Sequence, residues 1–186
     1  NLYNGNISYM VTAISQFMKG SGLPLTSAYK YDQLNRIASA TYFQNTNINQ
    51  NQLATNGNAL PDWYNQFTYD ANGNILTQTR RSNLVQGSVE MDSLSYEYYT
   101  GTNQLKRVTD GISASRFADD IDNQTQANNY KYDEIGNLIH DAAEQIDSIY
   151  WNVYGKITRI VRTSGSMKPD LQFAYTPDGH RVMKVV

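Results

Sequence analysis

Hydrophobic and polar residues alternate most regularly on either side of one short polar segment. Phe67 and Tyr69 flank Thr68, which is the period-two pattern of a half-buried strand. The chain must then reverse over Asp70-Ala71-Asn72-Gly73, where Asp can accept hydrogen bonds from backbone amides and Gly permits a positive φ. A β-prone run resumes at Ile75-Leu76-Thr77. The pattern predicts a β-hairpin.

This hairpin pattern recurs along the chain. Tyrosines aligned on it are Tyr31, Tyr69, Tyr98, Tyr132, Tyr154 and Tyr175, separated by 21 to 38 residues. A constant hairpin with a variable spacer is typical of a repeat array. Because a lone hairpin is marginal in water, neighbouring units must pair or stack. We therefore expect an all-β fold: one continuous, curled antiparallel sheet of repeated hairpins with little helix.

The chain is predicted to be a single run of repeats over residues 1–186, with two inserted loops. Residues 45–58 are rich in Asn and Gln and poor in apolar residues, and residues 110–129 are irregular and polar. Both segments are typical of solvated loops between hairpins. The sequence begins with Asn1 and not with Met, so we expect a piece of a longer protein.

Composition and charge narrow the classes of partner. The 186 residues include no Cys, which excludes a disulfide scaffold and a thiolate metal site. The net charge of −2 disfavours nucleic acid and acidic membrane surfaces as partners. No apolar run approaches the roughly 20 residues that a membrane-spanning helix needs, so no membrane span is expected. Nor does the sequence show a signal peptide.

The recurring segment resembles the YD repeat of the RHS family. Its form, aromatic-x-Tyr-Asp-x-x-Gly-Asn-(Ile/Leu), is kept at Phe67–Ile75 and Tyr130–Leu138, and Tyr29–Ile37 and Phe173–Val182 look like variants. Looser copies near residues 3–7 and 149–157 are similar to RHS cores of the Bacteroidota type. RHS proteins build a spiral of β-hairpins that closes into a hollow shell around a C-terminal segment, often a toxin. Related shells occur in toxin complexes and in teneurins, so the resemblance implies a piece of shell wall.

The resemblance implies structural roles for the motif residues: Tyr packs in the sheet, Asp holds the turn and Gly permits it. These residues are Tyr31, Asp32, Tyr69, Asp70, Gly73, Asn74, Tyr132, Asp133, Gly136, Asn137, Tyr175 and Gly179. Two copies lack the Asp, because Tyr99 follows Tyr98 and Thr176 follows Tyr175, which leaves the capping role open there. No Asp-Pro-x-x-Gly-Arg segment of the kind that closes an RHS core is present. We therefore expect the cleavage machinery and any toxin to lie outside this sequence.

The two histidines are the first candidates for catalysis. His140 is adjacent to Asp141, but neighbours in a strand point to opposite faces and do not form a dyad by themselves. His180 lies in a turn between Gly179 and Arg181. The sequence contains no Gly-x-Ser-x-Gly, His-Glu-x-x-His or Gly-rich phosphate loop. We predict structural or surface roles for both histidines, no catalytic residue, no cofactor and no enzyme activity.

Two further segments could bind ligands. Asp119-Asp120-Ile121-Asp122-Asn123 offers oxygen ligands for calcium, but it lacks the Gly and the distal Glu of an EF-hand loop. We favour a solvated acidic loop there and predict no metal. Trp63 and Trp151 stand beside amide side chains and could form sugar-binding platforms, with packing in the sheet as the favoured alternative. Arg80-Arg81 is predicted to be a solvated strand end.

The sequence therefore predicts a structural segment with no chemistry of its own. By resemblance it belongs to a secreted or surface-exposed bacterial protein and encloses or presents a neighbouring segment. Its partners would be the rest of the parent RHS chain, other shell or secretion components, and an enclosed C-terminal cargo. The alternative is a cell-surface module that binds a glycan or a protein through its outer face or its loops.

Overall fold

The computed structural model describes residues 5–13, 24–44, 50, 59–82, 90–113, 117, 120–121 and 123–186. The described part of the chain is almost entirely antiparallel β-hairpins, which confirms the predicted all-β fold. No helix within it is long and apolar enough to cross a membrane.

Within the described residues, thirteen strands form two sheets, in which spatial order follows chain order. The first sheet comprises β1 (Tyr9–Thr12), β2 (Leu25–Tyr31), β3 (Ile37–Phe43), β4 (Ala59–Tyr69), β5 (Ile75–Arg81), β6 (Glu90–Tyr98) and β7 (Leu105–Asp110). The second comprises β8 (Tyr130–Tyr132), β9 (Leu138–Asp141), β10 (Ile146–Trp151), β11 (Ile157–Arg162), β12 (Leu171–Tyr175) and β13 (Arg181–Val185). Each strand therefore neighbours the strands before and after it in sequence, as expected for successive hairpins.

The repeat turns all join an even-numbered strand to the next odd-numbered one. Because neighbouring strands run antiparallel, these turns lie at the same end of the strands within each sheet. The connections of varied length, such as residues 44–58 and 111–129, follow the odd-numbered strands and leave from the opposite end. This arrangement explains how a constant hairpin coexists with a variable period.

The expected continuous sheet is divided in two between β7 and β8. Gln124 occupies the backbone groups of Val108 in β7: its Oε1 accepts a hydrogen bond from Val108 N at 2.7 Å, and its own N donates to Val108 O at 3.2 Å. Tyr130 in β8 is joined to Gln124 through its hydroxyl at 2.7 Å. A single residue of the 110–129 segment thus takes the place of a neighbouring strand at Val108. That segment contains no strand among its described residues beyond Asp110.

The chain forms two compact units, Asn1–Ser95 with Asp110–Asp122, and Tyr96–Thr109 with Asn123–Val186. Each unit has few buried residues among those described, and polar residues are as frequent there as apolar ones. In the first unit they are Thr26, Ser27, Ala40, Asp92 and Leu94; in the second they are Val108, Gln124, Asn129, Asp141, Ile146 and Ile149. Units with so few buried residues depend strongly on each buried apolar side chain and on pairing every buried polar group.

Candidate functional site

The repeat turns share one backbone geometry. At Asp70, the N–H donates to Asn74 O at 2.9 Å, and Gly73 N–H donates back to Asp70 O at 3.2 Å. The same two bonds recur in the turns that begin at Asp32, Asp133, Asn152 and Thr176. A register shift follows each turn, which is the mark of a tight turn closed by a bulge. Five hairpins are therefore built on one template.

The fourth turn position takes the left-handed conformation, as the sequence predicts. Gly73, Gly136 and Gly179 have φ of 93°, 91° and 85°, and Asn35 replaces glycine with φ of 63°. Asn is the residue other than Gly that most readily tolerates this region.

Replacing Gly73 with valine should lower the free energy of unfolding by about 1–3 kcal/mol, because a β-branched residue is forced to positive φ. No heavy atom beyond the adjoining residues lies within 4 Å of the point that a β-carbon would occupy, so the loss comes from the backbone alone. Gly73→Asn is the matched control and should cost less than half as much, since Asn35 holds the equivalent position. Equal losses for both variants in urea unfolding would contradict this turn geometry.

The aspartate of the motif caps the turn, and the following asparagine completes the cap. Asp70 Oδ1 accepts hydrogen bonds from Asn72 N at 2.9 Å and Asn74 N at 2.8 Å, while Asp70 Oδ2 accepts one from Asn74 Nδ2 at 2.8 Å. Asp133 caps its turn in the same way, because its two carboxylate oxygens accept hydrogen bonds from N and Nδ2 of Asn137. The Asp-x-x-Gly-Asn spacing is thus explained by a closed set of contacts within one turn.

The copies that depart from the motif use other groups. Arg36 replaces the asparagine in the Asp32 turn and donates from Nε to Asp32 Oδ2 at 2.6 Å. Asn152 replaces the aspartate in another turn, where its Oδ1 accepts from two backbone amides at 3.0 Å. Thr176 Oγ1 accepts from His180 N at 3.1 Å. In the Tyr99 turn, Thr102 Oγ1 accepts from Gln104 N at 3.1 Å, so the cap comes from inside the loop.

The capping contacts lower the pKa of all three motif aspartates. For Asp70 the main cause is the side-chain hydrogen bond from Asn74, and for Asp32 it is the backbone hydrogen bond from Arg36. Burial alone would raise the pKa of Asp133, but hydrogen bonds from Asn137 and from the turn backbone outweigh it. Each carboxylate is therefore held in its charged form by the fold.

Stability should consequently fall in acid. Because the folded pKa lies below the unfolded value of about 3.9, the stabilisation is present above that value and is lost as pH falls through the folded pKa. A variant with Asp32, Asp70 and Asp133 all changed to Asn keeps the Oδ1 acceptor, as at Asn152, but cannot titrate. Urea unfolding from pH 6 to pH 2 should give this variant the shallower loss. If the free energy of unfolding falls equally with pH in the variant and in the unaltered chain, these three carboxylates are not the cause of the acid sensitivity.

In four of the described hairpins, the aromatic residue just before the turn joins the hairpin to the strand before it. Tyr69 OH, at the end of β4, donates to Ile37 O, at the start of β3, at 2.8 Å. The same contact is made by Tyr31 to Ile7 O at 3.0 Å, by Trp151 Nε1 to Leu138 O at 2.8 Å, and by Tyr175 to Ile157 O at 2.8 Å. Tyr132 differs: its hydroxyl oxygen accepts from the backbone of Leu105, the residue at the corresponding place, and this contact lowers the pKa that burial raises. We call these contacts the inter-hairpin struts.

The struts extend the predicted role of the tyrosines, because packing in the sheet does not require a hydroxyl. Burial raises the pKa of Tyr69, so the hydroxyl remains protonated and able to donate at neutral pH. The Arg36 guanidinium lies 4.5 Å from the centre of the same ring and donates to Asp70 O at 2.9 Å. A signal was present in the sequence: an aromatic residue with a polar hydrogen precedes most of the repeat turns.

One position in the tyrosine alignment is corrected by the structure. Tyr154 lies inside the turn of its hairpin and is 79% exposed, while Trp151 ends β10 and makes the strut. The turn that Asn152 begins fixes this register, since its first residue must directly follow the strut residue. The indole N–H of Trp151 is therefore engaged by the Leu138 carbonyl within the sheet.

Trp63 lines a pocket of about 380 Å³ in the first unit. The other lining residues are Leu25, Tyr42, Asn65, Arg80, Arg81 and Met91. Trp63 packs edge-on against Tyr42 with ring centres 6.0 Å apart, and its carbonyl accepts a hydrogen bond from Asn65 Nδ2 at 3.0 Å. Trp63 has a φ of 57° and lies where the β3–β4 register is interrupted. A bulge at this point therefore sets the direction in which its side chain leaves the strand.

The remaining candidate residues make local contacts. His140 Nδ1 lies 3.1 Å from Asp147 O, whereas Asp141 is buried and accepts from Asn129 Nδ2 at 2.9 Å, so the two neighbours do not form a dyad. His180 is exposed beside Asp178 at 3.4 Å. Arg80 and Arg81 each form an ion pair. The sequence predicts a solvated strand end at these residues, without ion pairs.

Several predictions lie largely outside the described residues. Of the 45–58 loop only Gln50 is described, and of the acidic segment only Asp120, Ile121 and Asn123 are described. No protein-family model matches the chain, and no curated protein matches its sequence.

Proposed function

We propose that this chain is a structural segment of a shell wall of the RHS type, carried by a secreted or surface-exposed bacterial protein. Its YD-repeat hairpins would enclose or present a neighbouring segment of the parent chain, such as a toxin, without chemistry of their own. The observation that supports this most is the recurrence of the inter-hairpin struts. A contact that recurs from one hairpin to the next would allow the array of hairpins to be extended into a wall.

The outer strand of the second sheet supports the same proposal. Every residue of β13 is exposed, although Val182, Met183 and Val185 are apolar. An exposed apolar edge is a template for pairing with a further strand and a hazard if left open. We propose that a further hairpin of the parent chain pairs with β13 and continues the array.

Protection of the enclosed segment tests this function. In the parent protein, the segment beyond the repeats should resist limited proteolysis while the wall is folded and become cleavable when the wall is opened by denaturant. Gly73→Val combined with Gly136→Val should open the wall at a lower urea concentration than Gly73→Asn combined with Gly136→Asn. A segment equally cleavable with and without a folded wall would refute enclosure.

A second candidate is glycan binding at the Trp63 pocket. A sugar needs an aromatic face for its apolar side and amide or guanidinium donors for its hydroxyls. Trp63 and Tyr42 supply the rings, and Asn65, Arg80 and Arg81 supply polar groups. A non-glycine residue held at positive φ in a bulge costs stability, and such strain clusters at binding sites.

A glycan panel distinguishes this candidate from a purely structural role. Binding should be lost in Trp63→Ala and retained in Tyr154→Ala, an exposed aromatic residue outside the pocket. Binding that survives Trp63→Ala would remove the pocket from consideration, and so would the absence of any binding by the folded chain.

A further inference from the structure

Three aspartates converge in the first unit, from separate parts of the chain. Asp92 lies in β6, Asp110 ends β7, and Asp120 belongs to the following connection. Each offers one carboxylate oxygen, and these three oxygens lie within 4.8 Å of one another. Like charges at such distances repel strongly unless a cation lies between them.

Asp92 shows that the cluster is incomplete. Its side chain is fully buried, and Oδ2 accepts a hydrogen bond from Arg80 Nε at 2.5 Å. The other oxygen, Oδ1, is also buried and has no hydrogen-bond partner. Leaving a buried carboxylate oxygen unpaired is costly, so such an atom indicates a missing ligand.

Asp110 is held in place by the backbone beside it. Its Oδ1 accepts hydrogen bonds from Ser93 N at 2.8 Å and from Ile112 N at 3.0 Å. Gly111 N–H donates to Ser93 O at 3.1 Å, which ties the end of β7 to β6 next to Asp92. These bonds orient the carboxylate before any cation arrives, which lowers the entropic cost of binding.

We propose that Asp92, Asp110 and Asp120 bind a calcium ion. All three donors are carboxylate oxygens, the ligands of hard cations such as calcium, and neither sulfur nor imidazole contributes. The three carboxylates carry three negative charges, and Arg80 pairs with the one on Asp92. The site brings together Asp92 in β6, Asp110 at the end of β7 and Asp120, so calcium would tie these three residues to one another. This differs from the sequence prediction of a solvated acidic loop at Asp120.

Calorimetric titration of the chelator-treated chain with CaCl₂ tests the site. We expect about one calcium ion per chain and a rise in melting temperature of at least about 5 °C at a hundredfold excess over Kd. Asp120→Asn should weaken binding at least about tenfold, because ligand charge sets calcium affinity. Asp147→Asn, an exposed aspartate of the second unit, is the matched control and should bind like the unaltered chain.

Circular dichroism of Asp120→Asn without calcium shows whether this variant keeps the apo fold, so that a loss of folding is not mistaken for a loss of binding. No binding heat and no melting shift at about 10 mM calcium would overturn the proposal. Unchanged affinity in folded Asp120→Asn would do the same, and tighter binding of Mg²⁺ than of Ca²⁺ would overturn the assignment to calcium.

Discussion

Replacing Arg80 with methionine should lower the free energy of unfolding by about 3–5 kcal/mol. Arg80 Nε donates to Asp92 Oδ2 at 2.5 Å, and the Asp92 side chain is completely buried. Methionine retains most of the aliphatic packing but leaves the buried charge without its cation. Removing one partner of a buried pair costs far more than the pair contributes, because the other charge stays desolvated.

Arg81→Met is the matched control for this variant. Arg81 pairs with Glu90 at 3.3 Å, and both side chains are more than a third exposed. Exposed pairs contribute at most about 1 kcal/mol, so the control should lose no more than that. Urea unfolding in the presence of a chelator measures both variants. Similar losses at Arg80 and Arg81 would mean that Asp92 is not desolvated as described.

Leu94→Ala should lower the free energy of unfolding by about 2–5 kcal/mol. Leu94 is 2% exposed in β6 and is one of the few fully buried apolar side chains described in the first unit. Truncation removes its transfer free energy and leaves a cavity, and few buried side chains are described in this unit to fill it. With total stabilities of about 5–15 kcal/mol, this change removes a large share of the stability of the first unit.

Leu76→Ala provides the comparison on the neighbouring strand β5. Leu76 is 40% exposed, so it loses much less buried area and should cost under about 1 kcal/mol. Thermal unfolding followed by circular dichroism resolves the difference. If the two leucines cost the same, Leu94 does not belong to a core.

The turns could be predicted from sequence because their causes are local. Asp70 and Gly73 act on amides and dihedral angles within four residues, so residue type and spacing were sufficient. Asn35 can be predicted as a substitute for glycine for the same reason, and its φ is 63°. Even the copies without Asp, at Asn152 and Thr176, use side-chain oxygens that a search for turn caps would accept.

The contacts between hairpins were not predictable to the same degree. The alignment on Tyr154 followed residue type, whereas the structure selects Trp151 because strut geometry depends on the turn register. The division into two sheets depends on Gln124, whose side chain meets Val108 from 16 residues away. Convergence of Asp92, Asp110 and Asp120 likewise depends on strand pairing, and adjacency in sequence pointed instead to Asp119–Asn123.

The central claim is that the motif tyrosines join successive hairpins, and hydroxyl deletion tests it most directly. Tyr31→Phe, Tyr69→Phe and Tyr175→Phe each remove one strut and keep the ring. Each should lower the free energy of urea unfolding by about 0.5–1.5 kcal/mol. Tyr154→Phe, at an exposed turn position, should change it by less than about 0.3 kcal/mol. Equal and negligible effects at all four tyrosines would contradict the account.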